Sequence, residues 1–274
     1  MSGISSGDDV NAARMRTQRT EGAWLARYLG GSYRKAVERG LARVSADRPV
    51  VLKTDLWNEC LGAPRDVLGR LAAEGHHRLF AVELSHPRCL EARLFVPQAL
   101  AVVAHITTLP FRAGSVDLLL DLSTIDHVSE AEVAAAIGEY ARVLGSGGVL
   151  VLVSWQRNAL VRLRLWLKRC LGIPDDPGQH YHSRKVVRSL VARGLTVAEE
   201  FAAGTLLVLP MRATRTVLGV LPQTVTMPLL DFLVRLEHRS PRFLPRLAGL
   251  YGLVAVKDAE RSCGRPRAGR SPGS

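Results

Sequence analysis

The run from Val116 to Leu120 constrains this chain more than any other stretch. A turn carrying Pro110, Ala113 and Gly114 precedes it, and Asp121, Ser123, Thr124, Asp126 and His127 follow it at once. A short apolar run bounded in this way reads as a strand buried on both faces, which belongs to a parallel sheet covered by helices. Ligands of such sheets bind beyond the carboxyl ends of the strands. The polar cluster after Leu120 therefore marks where chemistry is expected.

The flanking pattern supplies the other strands. Val50, Val51 and Leu52 open a first strand that ends in Lys53-Thr54-Asp55. Leu79–Leu84 reads as the second, Ala101–Ile106 as the third, Val116–Leu120 as the fourth, and Val149–Trp155, entered through Gly147-Gly148, as the fifth. Helical periodicity fills the gaps: one or two amphipathic helices over Trp24–Val44, a helix over Asp66–Ala73, and a start signal at Ser85-His86-Pro87. Ser129 with Glu132 three residues on forms a capping box, and Gly145 supplies the stop of the helix it opens. Strands alternating with helices require right-handed crossovers and give a doubly wound sheet. Beyond Trp155 come an arginine-laced amphipathic helix (Leu160–Leu171), a Pro/Asp/Gly loop, a short helix (Ser183–Arg193) and a sixth strand (Leu195–Phe201). Apolar helical segments broken by prolines (205–248) and a last strand (Leu250–Val256) complete the chain.

With 274 residues the chain suits one large α/β domain. The expected division is a disordered leader over 1–20, a domain over 21–257 and a disordered basic tail over 258–274. No apolar run reaches the roughly 18–20 residues of a membrane span, and the first residues lack a signal-peptide core, so a cytoplasmic location is expected. The four cysteines are scattered, which suggests reduced thiols. The net charge of +12 admits a nucleic-acid partner without favouring one, since the surplus is almost all arginine, interleaved at helical spacing with Leu and Val. His180 and His182, with Asp175 and Asp176, resemble a metal pair but lack convincing further ligands, so no metal is expected.

Three ordered motifs carry a family resemblance. Ala81-Val82-Glu83-Leu84-Ser85 puts an acid at the end of the second strand; Leu109-Pro110-Phe111, with Gly114 and Asp117, leads into the fourth; Arg142-Val143-Leu144-Gly145 with Gly147-Gly148 leads into the fifth. Over about residues 48–155 this resembles the class I S-adenosylmethionine-dependent methyltransferases, in particular the small-molecule, type 11-like branch. The resemblance implies a Rossmann-like, doubly wound, mostly parallel seven-stranded sheet, with helices on both faces and a helical cap inserted late in the chain. It divides the domain into a cofactor half (48–155) and a substrate-cap half (156–257). The first motif departs from the family. Where a glycine-rich loop normally lets the backbone approach the cofactor, this chain has Lys53-Thr54-Asp55-Leu56-Trp57-Asn58-Glu59, with no glycine before Gly62.

The resemblance also implies site residues. S-adenosylmethionine, with its ammonium and sulfonium, would be drawn to Asp55 and Glu59. Glu83 would accept the ribose hydroxyls beside Leu84, and the Ile106 and Thr107 amides would serve the adenine, next to a His105 that replaces the usual acid. His127 would act as base if the acceptor must lose a proton, oriented by Asp121 or Asp126, and Tyr181 and His182 would line the acceptor pocket. The expected function is methyl transfer to a small-molecule acceptor, lipophilic or anionic. A non-catalytic protein that kept the fold, and an RNA or DNA methyltransferase, stay open as alternatives. The acceptor atom and the oligomeric state are not written in the sequence.

Overall fold

A computed structural model describes residues 23–61, 65–76, 78–174, 178–209, 214, 216, 218, 220–239 and 244–258. The leader over 1–20, the tail from 259 on, and Asp175 and Asp176 lie outside the described residues. The elements run α1 (Ala23–Leu41), β1 (Val51–Lys53), α2 (Trp57–Leu61), α3 (Val67–Ala73), β2 (Leu79–Glu83), α4 (His86–Phe95), β3 (Ala99–Val103), β4 (Val116–Leu122), α5 (Glu130–Val143) and β5 (Leu144–Trp155). They continue with α6 (Ala159–Cys170), α7 (Arg184–Val191), β6 (Thr196–Ala203), α8 (Gln223–Arg239), α9 (Leu244–Leu247) and β7 (Leu250–Val256). Single 3-10 turns at Ile125–His127 and Thr205–Val208 follow β4 and β6.

Seven strands form one sheet in the order β3-β2-β1-β4-β5-β7-β6. The first five pair in parallel, and β7 runs antiparallel to both β5 and β6. The order reverses between β1 and β4, which makes their carboxyl ends the crevice where such sheets bind ligands. The pleat divides the core in two. Val51, Leu118, Leu120, Val151 and Val254 face α1 and its neighbours; Leu52, Val82, Leu119, Leu150 and Leu253 face the side that holds α5 and α7. Asp117 interrupts the run expected to be apolar. It stands half-buried at the entry to β4, where its Oδ2 accepts the Val50 amide at 2.8 Å.

Several local expectations shift. Trp24–Val44 is one helix ending at Leu41. The third strand starts two residues before Ala101 and ends at Val103, so His105–Thr107 form the loop after it. Ser85 stands at the start of α4 with extended backbone but makes no side-chain capping bond. Asp66 does cap α3, accepting the Gly69 amide, and the capping box of Ser129 and Glu132 is formed in full. Gly145 does not stop α5, because the chain passes at Leu144 straight into an extended conformation. Its missing side chain serves close approach instead: a Cβ there would stand 3.2 Å from the Gly114 carbonyl oxygen.

That approach is part of a clasp between two motifs far apart in sequence. The Arg142 guanidinium donates to the Phe111 and Leu109 carbonyls at 2.8 and 2.9 Å while paired with Glu139. Glu139 in turn accepts the Leu109 amide at 2.8 Å, and the Gly114 amide donates to the Arg142 carbonyl.

Candidate functional site

The floor of the crevice is a lysine. Lys53, the last residue of β1, lies between Ala81 of β2 and Leu120 of β4, and its side chain is fully buried. The loop after it folds back, so that Nζ meets Asp55 Oδ1 at 3.1 Å, Glu59 Oε2 at 3.0 Å and the Asp55 carbonyl at 2.8 Å. The contact with Glu59 Oε2 is an ion pair outside hydrogen-bonding geometry. Burial alone would lower the lysine pKa; the two carboxylates more than offset it, and the ammonium is held charged. Burial likewise pushes both acids up. At Asp55, Lys53 and hydrogen bonds from the Trp57 amide and the Thr124 hydroxyl prevail and hold the carboxyl low. At Glu59 burial prevails, although Oε1 accepts the Val67 and Leu68 amides at the start of α3.

The crevice between β1 and β4 is bridged by hydroxyls. Thr124 donates to Asp55 Oδ2 at 2.9 Å, and its Oγ1 lies 2.6 Å from Thr54 Oγ1. The preceding residue, Ser123, has φ of 74°, a left-handed conformation that non-glycine residues rarely hold and that concentrates at functional sites. Tyr33 of α1, buried, brings its hydroxyl to 3.3 Å from Ser123 Oγ.

Glu83 ends β2 beside this loop. Its Oε2 accepts from the Leu56 amide and from Arg88, at 3.3 and 3.4 Å, and its Oε1 accepts from the Ser85 amide at 3.1 Å. Arg88 lies over the Trp57 ring at 4.7 Å, so a cation and an indole stand next to the carboxylate. Leu84 is 63% exposed, an apolar side chain turned to solvent at the strand end. Ile106 is buried in the core, and the Thr107 amide donates to His105 Nδ1 at 3.3 Å.

The residues expected on the acceptor side divide into buried and exposed. Asp121 is fully buried; it accepts from the Tyr140 hydroxyl at 2.7 Å and the Thr124 amide at 2.8 Å, and burial pushes it up to about 6. Asp126, also fully buried, accepts from Ser154 Oγ at 2.6 Å and the Trp155 amide at 3.0 Å, with burial pushing it up to about 8. Both carboxylates thus tie the end of β4 to its neighbours. His127 is exposed, with Nδ1 3.1 Å from the Gly178 carbonyl, which joins the turn after β4 to the loop after α6. His182 is buried and donates from Nε2 to the Ile125 carbonyl at 2.9 Å; burial lowers its pKa, which keeps the ring neutral. Tyr181 packs edge-on against Trp155 at 5.8 Å. Asp55, Glu59, Glu83 and Thr124 are therefore brought together around the crevice, while His127, Tyr181 and His182 lie along its β4–β5 side. Among the described residues no group of three or more His, Cys, Asp or Glu could hold a metal.

The sequence marked Thr124 only as part of the polar cluster after Leu120, quoted Lys53, Thr54 and Trp57 only as part of the glycine-free loop, and gave no signal for Arg88. A lysine ending a buried strand with acids two and six residues on was the available signal.

Residues 61–152 match a family model described as a methyltransferase domain. No curated protein sequence matches the chain. Solved structures similar to it include a chain from the Haloferax volcanii complex with the Trm112 methyltransferase activator, at 18% identity and TM-score 0.58, covering 94% of this chain and 99% of that one. An S-adenosylmethionine-dependent methyltransferase from Methanosarcina mazei matches at 16% identity and TM-score 0.55, covering 80% and 97%. The geranyl diphosphate C-methyltransferase of Streptomyces coelicolor, solved with S-adenosyl-L-homocysteine, matches at 14% identity and TM-score 0.51, covering 80% and 74%. The family match covers residues 61–152, and the solved structures share the fold.

Proposed function

We propose that this class I fold moves a methyl group from S-adenosylmethionine to a small or lipophilic acceptor. The observation that carries the reading is the pair of acids at the crevice, Asp55 in the loop after β1 and Glu83 at the end of β2. Asp55, held ionised beside Thr124, and Glu83, whose Oε1 accepts only the Ser85 amide among the bonds named above, both keep acceptor capacity. Their chemistry suits the cofactor. Two carboxylate oxygens match adjacent ribose hydroxyls at Glu83, Asp55 matches the ammonium, and exposed Leu84 offers an apolar wall for the base. Bound there, the cofactor supplies an electrophilic methyl on a sulfonium. The chain's own task is alignment and exclusion of water. His127, exposed where β4 meets the loop from α6, is placed to take a proton from the acceptor, with Asp121 and Asp126 fixing the backbone that carries it. Tyr181 and His182 border the acceptor, and Lys53 with Glu59 sets the shape of the glycine-free loop.

One observation favours a second reading, a non-catalytic protein that kept the fold. Lys53 and Arg88 already supply cations to the acids that a cofactor would use. Calorimetry with S-adenosyl-L-homocysteine separates the two. Binding weakened tenfold or more by Glu83→Gln and by Asp55→Asn is expected for the enzyme; no heat of binding in the unsubstituted chain would favour the second reading.

A further inference from the structure

Helix α6 turns an apolar stripe to solvent. Asn158 caps it, accepting the Val161 amide at 2.9 Å, and Val161 is its buried anchor. Arg164 donates to the Leu207 carbonyl and lies over the Trp155 ring at 5.6 Å, which fixes the helix's rotation. On the side away from Val161, Leu160, Leu163, Trp166 and Leu167 are exposed, as is Leu171 just past the end. At about 100° per residue these five span a sector of about 140°. A helix packed on a soluble core normally shows the reverse, with charges outward.

The charges occupy the flanks instead. From Arg157 to Leu171 there are five basic residues, Arg157, Arg162, Arg164, Lys168 and Arg169, and no Asp or Glu. On the helical wheel Arg162 and Arg169 border one side of the stripe, and Arg164 and Lys168 border the other. An outward apolar stripe containing Trp, with basic residues along both borders, complements a lipid surface: acyl chains take the stripe and anionic headgroups take the flanks. Tryptophan favours that boundary, because its ring is apolar and its indole N–H is polar. Among the described residues no helix is long and apolar enough to cross a membrane, so the contact would be peripheral.

We propose that α6 docks this protein on an anionic bilayer, with Leu163, Trp166 and Leu167 among the acyl chains and Arg157 and Arg162 against lipid phosphates. The proposal stands whether or not the crevice transfers methyl groups. Because α6 begins just after β5 ends at Trp155, docking would also hold the carboxyl edge of the sheet near the lipid.

The full chain should be sedimented with phosphatidylcholine vesicles, with and without a minority of phosphatidylglycerol. Binding is expected with the anionic vesicles, weakened by added salt and about fivefold by Arg162→Gln. It should fall tenfold or more in the Leu163→Gln/Trp166→Gln variant, whose thermal melting should match the parent since both side chains are exposed. Trp166→Phe should remove a blue shift of fluorescence seen on binding. Three results in the vesicle assay would overturn the proposal. They are no binding to anionic vesicles, binding untouched by the double substitution, or vesicle-free self-association that the double substitution abolishes, which would make a second copy the occupant. Retention by single-stranded RNA but not by vesicles would assign the charge to nucleic acid and also overturn it.

Discussion

Lys53 is the residue on which the site's architecture depends. Moving an ammonium into the middle of a parallel sheet costs several kcal/mol, and Asp55 and Glu59 make it tolerable by pairing with it. Removing one partner of such a group leaves the others uncompensated. Lys53→Met should therefore lower the free energy of unfolding by about 3–5 kcal/mol in urea titration, and adding Glu59→Gln should recover part of it. Asp126 makes a pH prediction. Burial holds its proton up to about 8, against about 3.9 in an unfolded chain. Between those values the folded state binds more protons than the unfolded one, so this group's contribution is complete below about pH 4 and is lost as pH rises through about 8. Urea titrations across that window should show stability falling, with a flatter profile in Asp126→Asn; a rise with pH carried by Asp126 would contradict the assignment. Glu83 could be picked from the sequence because it ends a strand, and Asp55 because it lies in the loop just after one. The role of Lys53 could not, since strand pattern says which residues are buried and not which charges meet when a loop folds back.

At the scale of elements, the two motifs read separately around Leu109-Pro110-Phe111 and Arg142 prove to be halves of one clasp. Arg142→Ala removes two bonds to backbone carbonyls and the partner of Glu139. A loss of about 1–2 kcal/mol is expected, together with faster hydrogen exchange of the Leu109 amide, which Glu139 would hold less firmly. The helix starts at Asp66 and Ser129 were legible because a cap is a local device, a side chain bonding an amide three residues on. The third strand was placed two residues late because its pattern is weak: Leu100 and Val103 are exposed at this edge of the sheet, so apolar residues there do not mark burial. Gly145 misled for a related reason. Glycine after a helix suggests a left-handed stop, whereas here it makes room for the Gly114 carbonyl.

Across the whole molecule, α1 and the turn after it are tied to β6 and α8. Arg27 pairs with Asp231 at 2.5 Å, the buried Tyr28 hydroxyl bonds Glu237, Arg39 bonds the His238 carbonyl, and Arg43 reaches Glu199 at 2.8 Å. The sheet was legible from alternation and ordered motifs, but these pairings were not, because no local pattern links residues 156 to 209 positions apart. The same separation governs β7, which lies between β5 and β6 though it is last in sequence. During synthesis, β5 emerges about a hundred residues before the strand that pairs with its open edge. At ~5–20 residues per second that is roughly 5–20 s in which Val149–Val153 offers unpaired amides and carbonyls to any passing strand. A chain ending at Gly249 would keep that condition permanently, and light scattering should show it aggregating where the full chain stays clear. The rate of translation is thus expected to affect folding yield, and the segment that sets the waiting time, residues 156–249, is the same one that carries α6.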